Sequence, residues 1–297
     1  MNHPKTISIL GLGLMGSRMA AQLAQKGFVL RVYNRTPEKA EALRSLGVYV
    51  ASSPANAADE ADAVISMLSD DVASREVWLG KDGAINSVRD GSLLIESGTV
   101  SVTWISELSA AASQRQCKLL DAPVSGSKAQ AETGQLLFLV GGDSDAVATA
   151  TPIFNALGRG VHHLGETGSG ARMKLINNFL TGVQLASFAE ALAWIERSAL
   201  NKEAAIDLLC NGAGGSPMIK NIAPRMLERN YTVNFLLRLL AKDFSYICND
   251  AASVGLDLNM GNQTLQLLKA AQELGFGELD MSAIAEQFRS HDKPASN

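Results

Sequence analysis

Lys174 and Asn178 stand four residues apart at the head of a stretch, 174–199, that lacks Pro and contains Gly only at position 182. A helix there carries both side chains on one face. An ammonium so placed could give a proton to a carbonyl oxygen during reduction, and the neutral amine could take one from an alcohol during oxidation. A free lysine pKa of about 10.4 is too high for an efficient base near neutrality, so burial or a neighbouring cation has to lower it. The Asn178 amide could orient the amine and donate to the same oxygen. Taken alone, Lys174 reads as a solvated helix lysine; the other motifs decide between the two.

Gly11-Leu12-Gly13-Leu14-Met15-Gly16 follows the apolar run Thr6–Leu10 and opens a stretch in which Met15, Met19 and Leu23 recur at helical spacing before Gly27. Between a strand and a helix, these glycines permit a tight turn, close backbone approach to a pyrophosphate, and close packing of helix on strand. The helix N-terminus then offers N–H groups to the phosphates. Outside that context the motif is an ordinary Gly-rich turn. At the end of the next run, Val29–Tyr33, stands Asn34-Arg35-Thr36, where an NAD-binding chain usually carries an acid for the ribose hydroxyls. Arg35 can pair with a 2′-phosphate and stack on adenine, and Asn34 and Thr36 can donate hydrogen bonds. NADP(H) is therefore the expected cofactor, with NAD(H) possible; a solvated arginine beside a Thr-Pro helix cap is the alternative. Met67, Leu68 and Thr99 close further apolar runs at ends where open α/β sheets bind ligands. Thr99 can bond a ribose or carboxamide, while Met67 and Leu68 serve equally as cofactor wall or core.

Asp121-Ala-Pro-Val-Ser125-Gly126-Ser127 reads as a strand and a Ser/Gly turn, whose N–H groups and hydroxyls could hold a carboxylate, although a generic turn explains it too. Between Phe235 and Phe244, Lys242 and Asp243 interrupt an otherwise apolar helix, where an ion pair is costly without a function or ample partners. A surface pair, with Arg238 one turn back, is the plainer alternative.

Together these motifs, with Gly168-Ser-Gly-Ala-Arg-Met-Lys-Leu-Ile-Asn-Asn178, resemble the β-hydroxyacid dehydrogenase family over essentially the whole chain. The resemblance implies that Lys174 is the catalytic lysine and Asn178 its partner. It implies Ser125 and Gly126 as the carboxylate-binding turn, Thr99 as a cofactor or substrate contact, and Lys242 at the nicotinamide end, with Phe235 and Asp243 on the substrate side. It implies dimers or tetramers as well. Ser127 stands where the family usually has a second glycine, which resembles the glyoxylate/succinic semialdehyde reductase branch and puts the main-chain contact at that position in doubt. The expected substrate is a small carboxylate-bearing aldehyde or hydroxy acid, with 3-hydroxyisobutyrate, an imine, or a catalytically silent NADP-binding role as alternatives. Imine reductases, similar in fold and cofactor, generally lack the lysine. None of His3, His162, His163 or His291 is well placed to act as the base of a lactate-type dehydrogenase; His162 and His163 fall on opposite faces of one strand.

The elements that must position these residues follow from the pattern. Short apolar runs alternate with amphipathic stretches up to about Val161, as in a parallel sheet of about eight strands with crossover helices. Strands are expected at Thr6–Leu10, Val29–Tyr33, 48–51, 63–68, Leu93–Glu96, 119–121, 135–140 and 161–164, with a helix at 37–46. Helices are expected at 174–199, 202–209, 219–227, 235–254 and 258–274, with no strand among them. The fold class is thus α/β, an N-terminal Rossmann dinucleotide-binding domain over 1–165, joined by a long interdomain helix to an all-α C-terminal domain over 166–297, whose last eight residues are expected to fray. With 297 residues, 26 Lys+Arg and 30 Asp+Glu, the formal charge is −4, which offers no footprint for nucleic acid. No apolar segment reaches the length of a membrane span and no leader is evident, so a cytoplasmic chain is expected. Three scattered cysteines predict neither a disulfide framework nor a thiolate metal site.

Overall fold

The structure, a computed structural model, describes residues 4–289; the fraying expected at the C-terminus, with His3 and His291, lies outside the described residues. The chain divides into two compact units, the first through Lys174 and the second from Leu175.

In the first unit the elements run β1 (Thr6–Leu10), α1 (Gly16–Gln25), β2 (Val29–Tyr33), α2 (Pro37–Glu41), β3 (Tyr49–Val50), α3 (Pro54–Ala58), β4 (Ala63–Ser66), α4 (Asp71–Leu79), β5 (Leu93–Glu96), α5 (Val102–Gln114), β6 (Lys118–Asp121), β7 (Val124–Ser125), α6 (Lys128–Glu132), β8 (Leu136–Gly141), α7 (Ser144–Leu157) and β9 (Gly158–Gly165). Strands β3, β2, β1, β4, β5 and β6 lie side by side in that order, all parallel. Ile9 pairs in register with Val32 on one side and Ile65 on the other. The order reverses between β1 and β4, the switch point where open α/β sheets bind ligands. Both faces are covered. Ile7, Ile9, Ile65 and Ile95 pack with Met19 and Leu23 of α1; Leu10, Val64 and Leu94 pack with Trp78 of α4 and Trp104 of α5. Burial on both faces is why β4 and β5 are continuous apolar runs instead of alternating ones.

The sheet has nine strands, and β8 runs antiparallel to β6 and β7. The extra strand, β7, is two residues long, too short for any periodicity to announce. The helix expected over 37–46 stops at Glu41, and a tighter turn at Arg44–Leu46 ends at Gly47 with φ 75°. Strands β1, β2 and β5 keep the expected bounds, whereas β9 starts earlier than expected, at Gly158.

The long helix α8 (Ser169–Glu196) begins five residues before the expected start. Gly168 stays in the loop, with φ 97°, whereas Gly170, which also reads as loop in the sequence, lies inside the helix and is a packing site. A Cβ on Gly170 would strike the Leu139 carbonyl oxygen and would lie 2.5 Å from that of Asp121, and one on Gly141 would lie 2.6 Å from Asp121 Oδ1. The start of α8 therefore lies directly on the backbone of β6 and β8.

The second unit holds the rest of α8, then α9 (Lys202–Asn211), α10 (Pro217–Leu227), α11 (Leu237–Ser253) and α12 (Asn259–Ala271), followed by short helical turns to Arg289. Gly182, the one glycine inside the expected long helix, sits against the Phe244 ring of α11, where a Cβ would collide; close helix packing outweighs the propensity cost. Buried Asp280 accepts from Ser282 Oγ at 2.7 Å and from the backbone N–H groups of Asn234 and Phe235 at 2.8 and 3.1 Å, fixing the segment that leads into α11. Among the described residues, no helix is long and apolar enough to cross a membrane.

Gly170→Ala should destabilise the protein by about 1–3 kcal/mol even though alanine is the better helix former, because the new methyl meets backbone that cannot swing away. Urea unfolding followed by tryptophan fluorescence checks this, and an unchanged midpoint would contradict the packing account.

Candidate active site

The glycines of the β1–α1 turn divide their tasks. Gly11 has φ 97°, and a Cβ there would lie 2.6 Å from the Met67 carbonyl oxygen, while Gly16 packs on the Gly11 carbonyl itself. Around Gly13, by contrast, nothing lies within 4 Å of an added Cβ. The first and third glycines thus satisfy the protein's own packing, and the second leaves room for a ligand at the helix start. This is the cradle a pyrophosphate requires.

Asn34 faces inward. Its Oδ1 accepts from Leu12 N at 2.9 Å and its Nδ2 donates to the Thr36 carbonyl at 2.9 Å, so it braces the glycine turn instead of pointing a donor outward. Arg35 and Thr36 are exposed, and the Thr36 hydroxyl makes no capping bond to α2. They border a cavity of about 370 Å³ whose wall includes Gly11, Tyr33, Lys39 and Ser53. Lys39 and Lys81 are further cations at this cavity that sequence reading missed; the signal for Lys39 was its four-residue spacing from Arg35 across the start of α2. Glu76 and Asp82 also line the cavity.

Beside this cavity, the loops after β1, β4 and β5 abut one another. Met67 is half-buried and packs on the core shared with α1. Leu68 borders the cavity with its side chain and meets Gly98 through its backbone, where an added Cβ would lie 2.8 Å from the Leu68 carbonyl. Thr99 follows, half-buried. Leu14 is exposed and Met15 partly buried at the entrance to α1.

Asp121 closes β6 with a fully buried carboxylate. Its Oδ1 accepts from Gly168 N and its Oδ2 from Ala171 N, both at 2.7 Å, which caps the first turn of α8. Burial pushes this carboxyl above the usual aspartate range, opposed by those two N–H groups. Sequence reading took Asp121 as the head of a carboxylate-binding turn and missed its capping role, because the partners lie 47 and 50 residues downstream. Lys174, half-buried, follows Ala171 by three residues in the same helix.

Asn178 is 3% exposed. Its Nδ2 donates to Asp243 Oδ2 at 2.7 Å, and its Oδ1 accepts from Asn177 Nδ2 at 3.2 Å. Asp243, 1% exposed, holds Lys242 through Oδ1, with Nζ at 2.8 Å and 5.0 Å from the centre of the Tyr246 ring. Both Asp243 oxygens are engaged within the protein, so its direct effect is to orient Asn178 and Lys242. Arg238 pairs with Glu278 at 2.6 Å instead of joining them. Phe235 is half-buried, its N–H held by Asp280.

The turn after β7 is narrower in donors than its sequence promised. Gly126 has φ 138°, a conformation open to glycine. Ser127 N and Oγ both donate to Gln130 Oε1, at 2.8 and 2.7 Å, as α6 begins. Half-buried Ser125 stands at the end of β7.

A family model described as the NAD binding domain of 6-phosphogluconate dehydrogenase matches residues 6–165, and one described as NAD-binding of NADP-dependent 3-hydroxyisobutyrate dehydrogenase matches residues 168–288. The chain is 33% identical over 280 residues to glyoxylate/succinic semialdehyde reductase 1 of Arabidopsis thaliana, covering 94% of this chain and 97% of that protein. It is likewise 33% identical over 291 residues to NAD-dependent L-serine dehydrogenase of Pseudomonas aeruginosa, covering 96% and 98%. Among solved structures, Mycobacterium tuberculosis 3-hydroxyisobutyrate dehydrogenase with L-serine superposes with a TM-score of 0.87 at 30% identity, over 96% of this chain and 99% of that one. Likeness at this level over almost the full length, on a Rossmann sheet with a helical second unit, makes the chain a member of the β-hydroxyacid dehydrogenase family, NAD(P)-dependent oxidoreductases acting on hydroxy acids and their aldehydes.

Proposed function

We propose that the protein reduces a small carboxylate-bearing aldehyde to its hydroxy acid, with NADPH preferred over NADH and Lys174 as the proton donor. One observation carries this reading. The end of β6 anchors both halves of the reacting site, because Asp121 fixes the start of the helix that bears Lys174 and the chain leaving Asp121 reaches Ser125 four residues later. A proton donor and a carboxylate-holding turn are thereby referenced to the same rigid strand.

A bound nicotinamide supplies the hydride in reduction and accepts it in oxidation. Lys174, as an ammonium, donates its proton to the aldehyde oxygen as negative charge develops there; in the reverse direction the neutral amine takes the alcohol proton. Asn178, its amide fixed by Asp243, presents its second N–H to the same oxygen. The Ser125 hydroxyl and the Gly126 backbone hold the substrate carboxylate, with Ser127 engaged by Gln130. On the cofactor side, Arg35 and Lys39 supply two cations where a carboxylate would repel a 2′-phosphate.

The semialdehyde reductase relative supports an aldehyde acid as substrate. The two relatives whose names carry L-serine support a second reading, oxidation of a three-carbon β-hydroxy acid such as serine or 3-hydroxyisobutyrate. Steady-state turnover of glyoxylate, succinic semialdehyde, tartronate semialdehyde, L-serine and 3-hydroxyisobutyrate with each cofactor distinguishes the two. The proposal expects the highest kcat/KM on an aldehyde acid with NADPH; a higher value for serine with NAD would favour the second reading.

Lys174→Ala should lower kcat by about 100-fold or more while cofactor affinity stays within about twofold, and a variant that keeps most of its turnover would contradict the assigned role. Arg35→Asp should weaken NADPH by about tenfold or more and NADH little. Asn34→Ala, which unbraces the glycine turn, should weaken both cofactors alike by about tenfold. Titrations of both cofactors check the pair. Equal losses in Arg35→Asp, or a loss confined to NADPH in Asn34→Ala, would reverse these assignments.

A further inference from the structure

Glu96, the last residue of β5, is fully buried and lies in a web made entirely of donors. Its Oε2 accepts from Ser74 Oγ at 2.5 Å and Trp78 Nε1 at 3.1 Å, and its Oε1 accepts from Gly98 N at 2.8 Å. Ser74 in turn accepts from Trp104 Nε1 at 2.8 Å, and Trp78 Nε1 also reaches Ser66 Oγ at 3.0 Å. Groups from the end of β4, from α4 and from α5 thus converge on one carboxyl. Burial pushes that carboxyl above the usual glutamate range, opposed by these donors.

Burying a carboxyl costs several kcal/mol unless its surroundings supply compensating bonds. An apolar side chain would fill the space between two tryptophans more cheaply. What the carboxyl adds is a grip on the loop above it. Gly98 is pinned from both sides, since an added Cβ would lie 2.9 Å from Glu96 Oε1 and 2.8 Å from the Leu68 carbonyl. The neighbouring Ser97 hydroxyl is buried with no hydrogen-bond partner among the described residues. The bond from Gly98 N to Glu96 ties the loop to a buried side chain, alongside the backbone bond from Ser97 N to the Ser66 carbonyl at 2.9 Å, and Thr99 is the next residue along.

We propose that Glu96 is a positioning residue for the nicotinamide half of the dinucleotide, setting the Ser97-Gly98-Thr99 loop against Leu68 while the adenosine half is held separately around Arg35. This rests on the cofactor reading given above. Glutamine in place of Glu96 has nearly the same shape but only one acceptor oxygen. That oxygen goes to the side with two donors, Ser74 and Trp78, which leaves the amide N–H groups facing Gly98 N–H. Donor against donor displaces the loop and leaves the tryptophan web in place.

The experiment compares wild type with Glu96→Gln by titration with NADPH and with adenosine 2′,5′-bisphosphate, which lacks the nicotinamide, together with kcat on the best aldehyde acid and near-ultraviolet circular dichroism of the tryptophans. Glu96→Gln should weaken NADPH and lower kcat, each by about tenfold or more, with bisphosphate affinity and the tryptophan signal unchanged. Gly98→Ala, whose new methyl presses on the Leu68 carbonyl and on Glu96 Oε1 and so displaces the loop without removing the carboxyl, should give the same signature and serves if the glutamine variant does not fold. Wild-type NADPH affinity and kcat in both variants would overturn the positioning role alone, as would equal losses for NADPH and bisphosphate. Failure of the wild-type protein to bind either ligand would overturn the cofactor reading and this proposal with it.

Discussion

The Asp121 carboxylate gives up all contact with water to accept two backbone N–H groups at the start of α8. Charge-assisted bonds of this kind contribute about 1.5–3 kcal/mol each, and the helix dipole adds to them. They oppose a desolvation that still leaves the acid above the usual aspartate range. The glycines at 141 and 170 exist to let the helix come this close. The consequence is geometric. Lys174 lies one turn past the capped residues, so its backbone is tied to the end of β6, as its proposed role as general acid requires.

Carboxyl groups at neighbouring strand ends do different work. Asp121 ends β6 and fixes a helix; Glu96 ends β5 and pairs in register with Asp121, fixing a loop. At the end of β2 the pattern departs from the usual acid: Asn34 takes a bracing role, and Arg35 follows it beside a cavity that Lys39, Lys81, Glu76 and Asp82 also line. The proposed preference for a 2′-phosphate rests on what is missing at that strand end as much as on the cations present.

The sequence made the architecture legible wherever burial imposes a simple rule. Strands covered on both faces read as apolar runs, so β1 and β5 could be bounded to the residue, and β2, buried at alternate positions, was bounded by the turn residues on either side. The glycine turn could be placed because its spacing serves one geometry. Long-range partners were not legible. Gly170 looked like loop because the carboxylate that caps the first turn of its helix is about 50 residues away in sequence, and β7 was too short to carry a pattern. Asn34 read as a donor for a ligand, yet its amide is consumed by Leu12 and Thr36. Glu96 read only as the end of a strand, since nothing local reveals that an indole and a serine donate to it and that a second indole backs the serine. In the second unit, Lys242 and Asp243 stood out as charges in an apolar helix, but that Asp243 holds Asn178 required the fold.

In the proposed reaction the Lys174 ammonium delivers the proton to the reacting oxygen. Chemical rescue tests it most directly: aldehyde-acid reduction by Lys174→Ala is measured at fixed NADPH with increasing concentrations of small primary amines that differ in pKa. The account predicts saturable recovery of turnover that depends on the protonated fraction of each amine, and none with a quaternary ammonium of similar size. Turnover indifferent to every amine, in a variant that still binds NADPH and substrate, would contradict it.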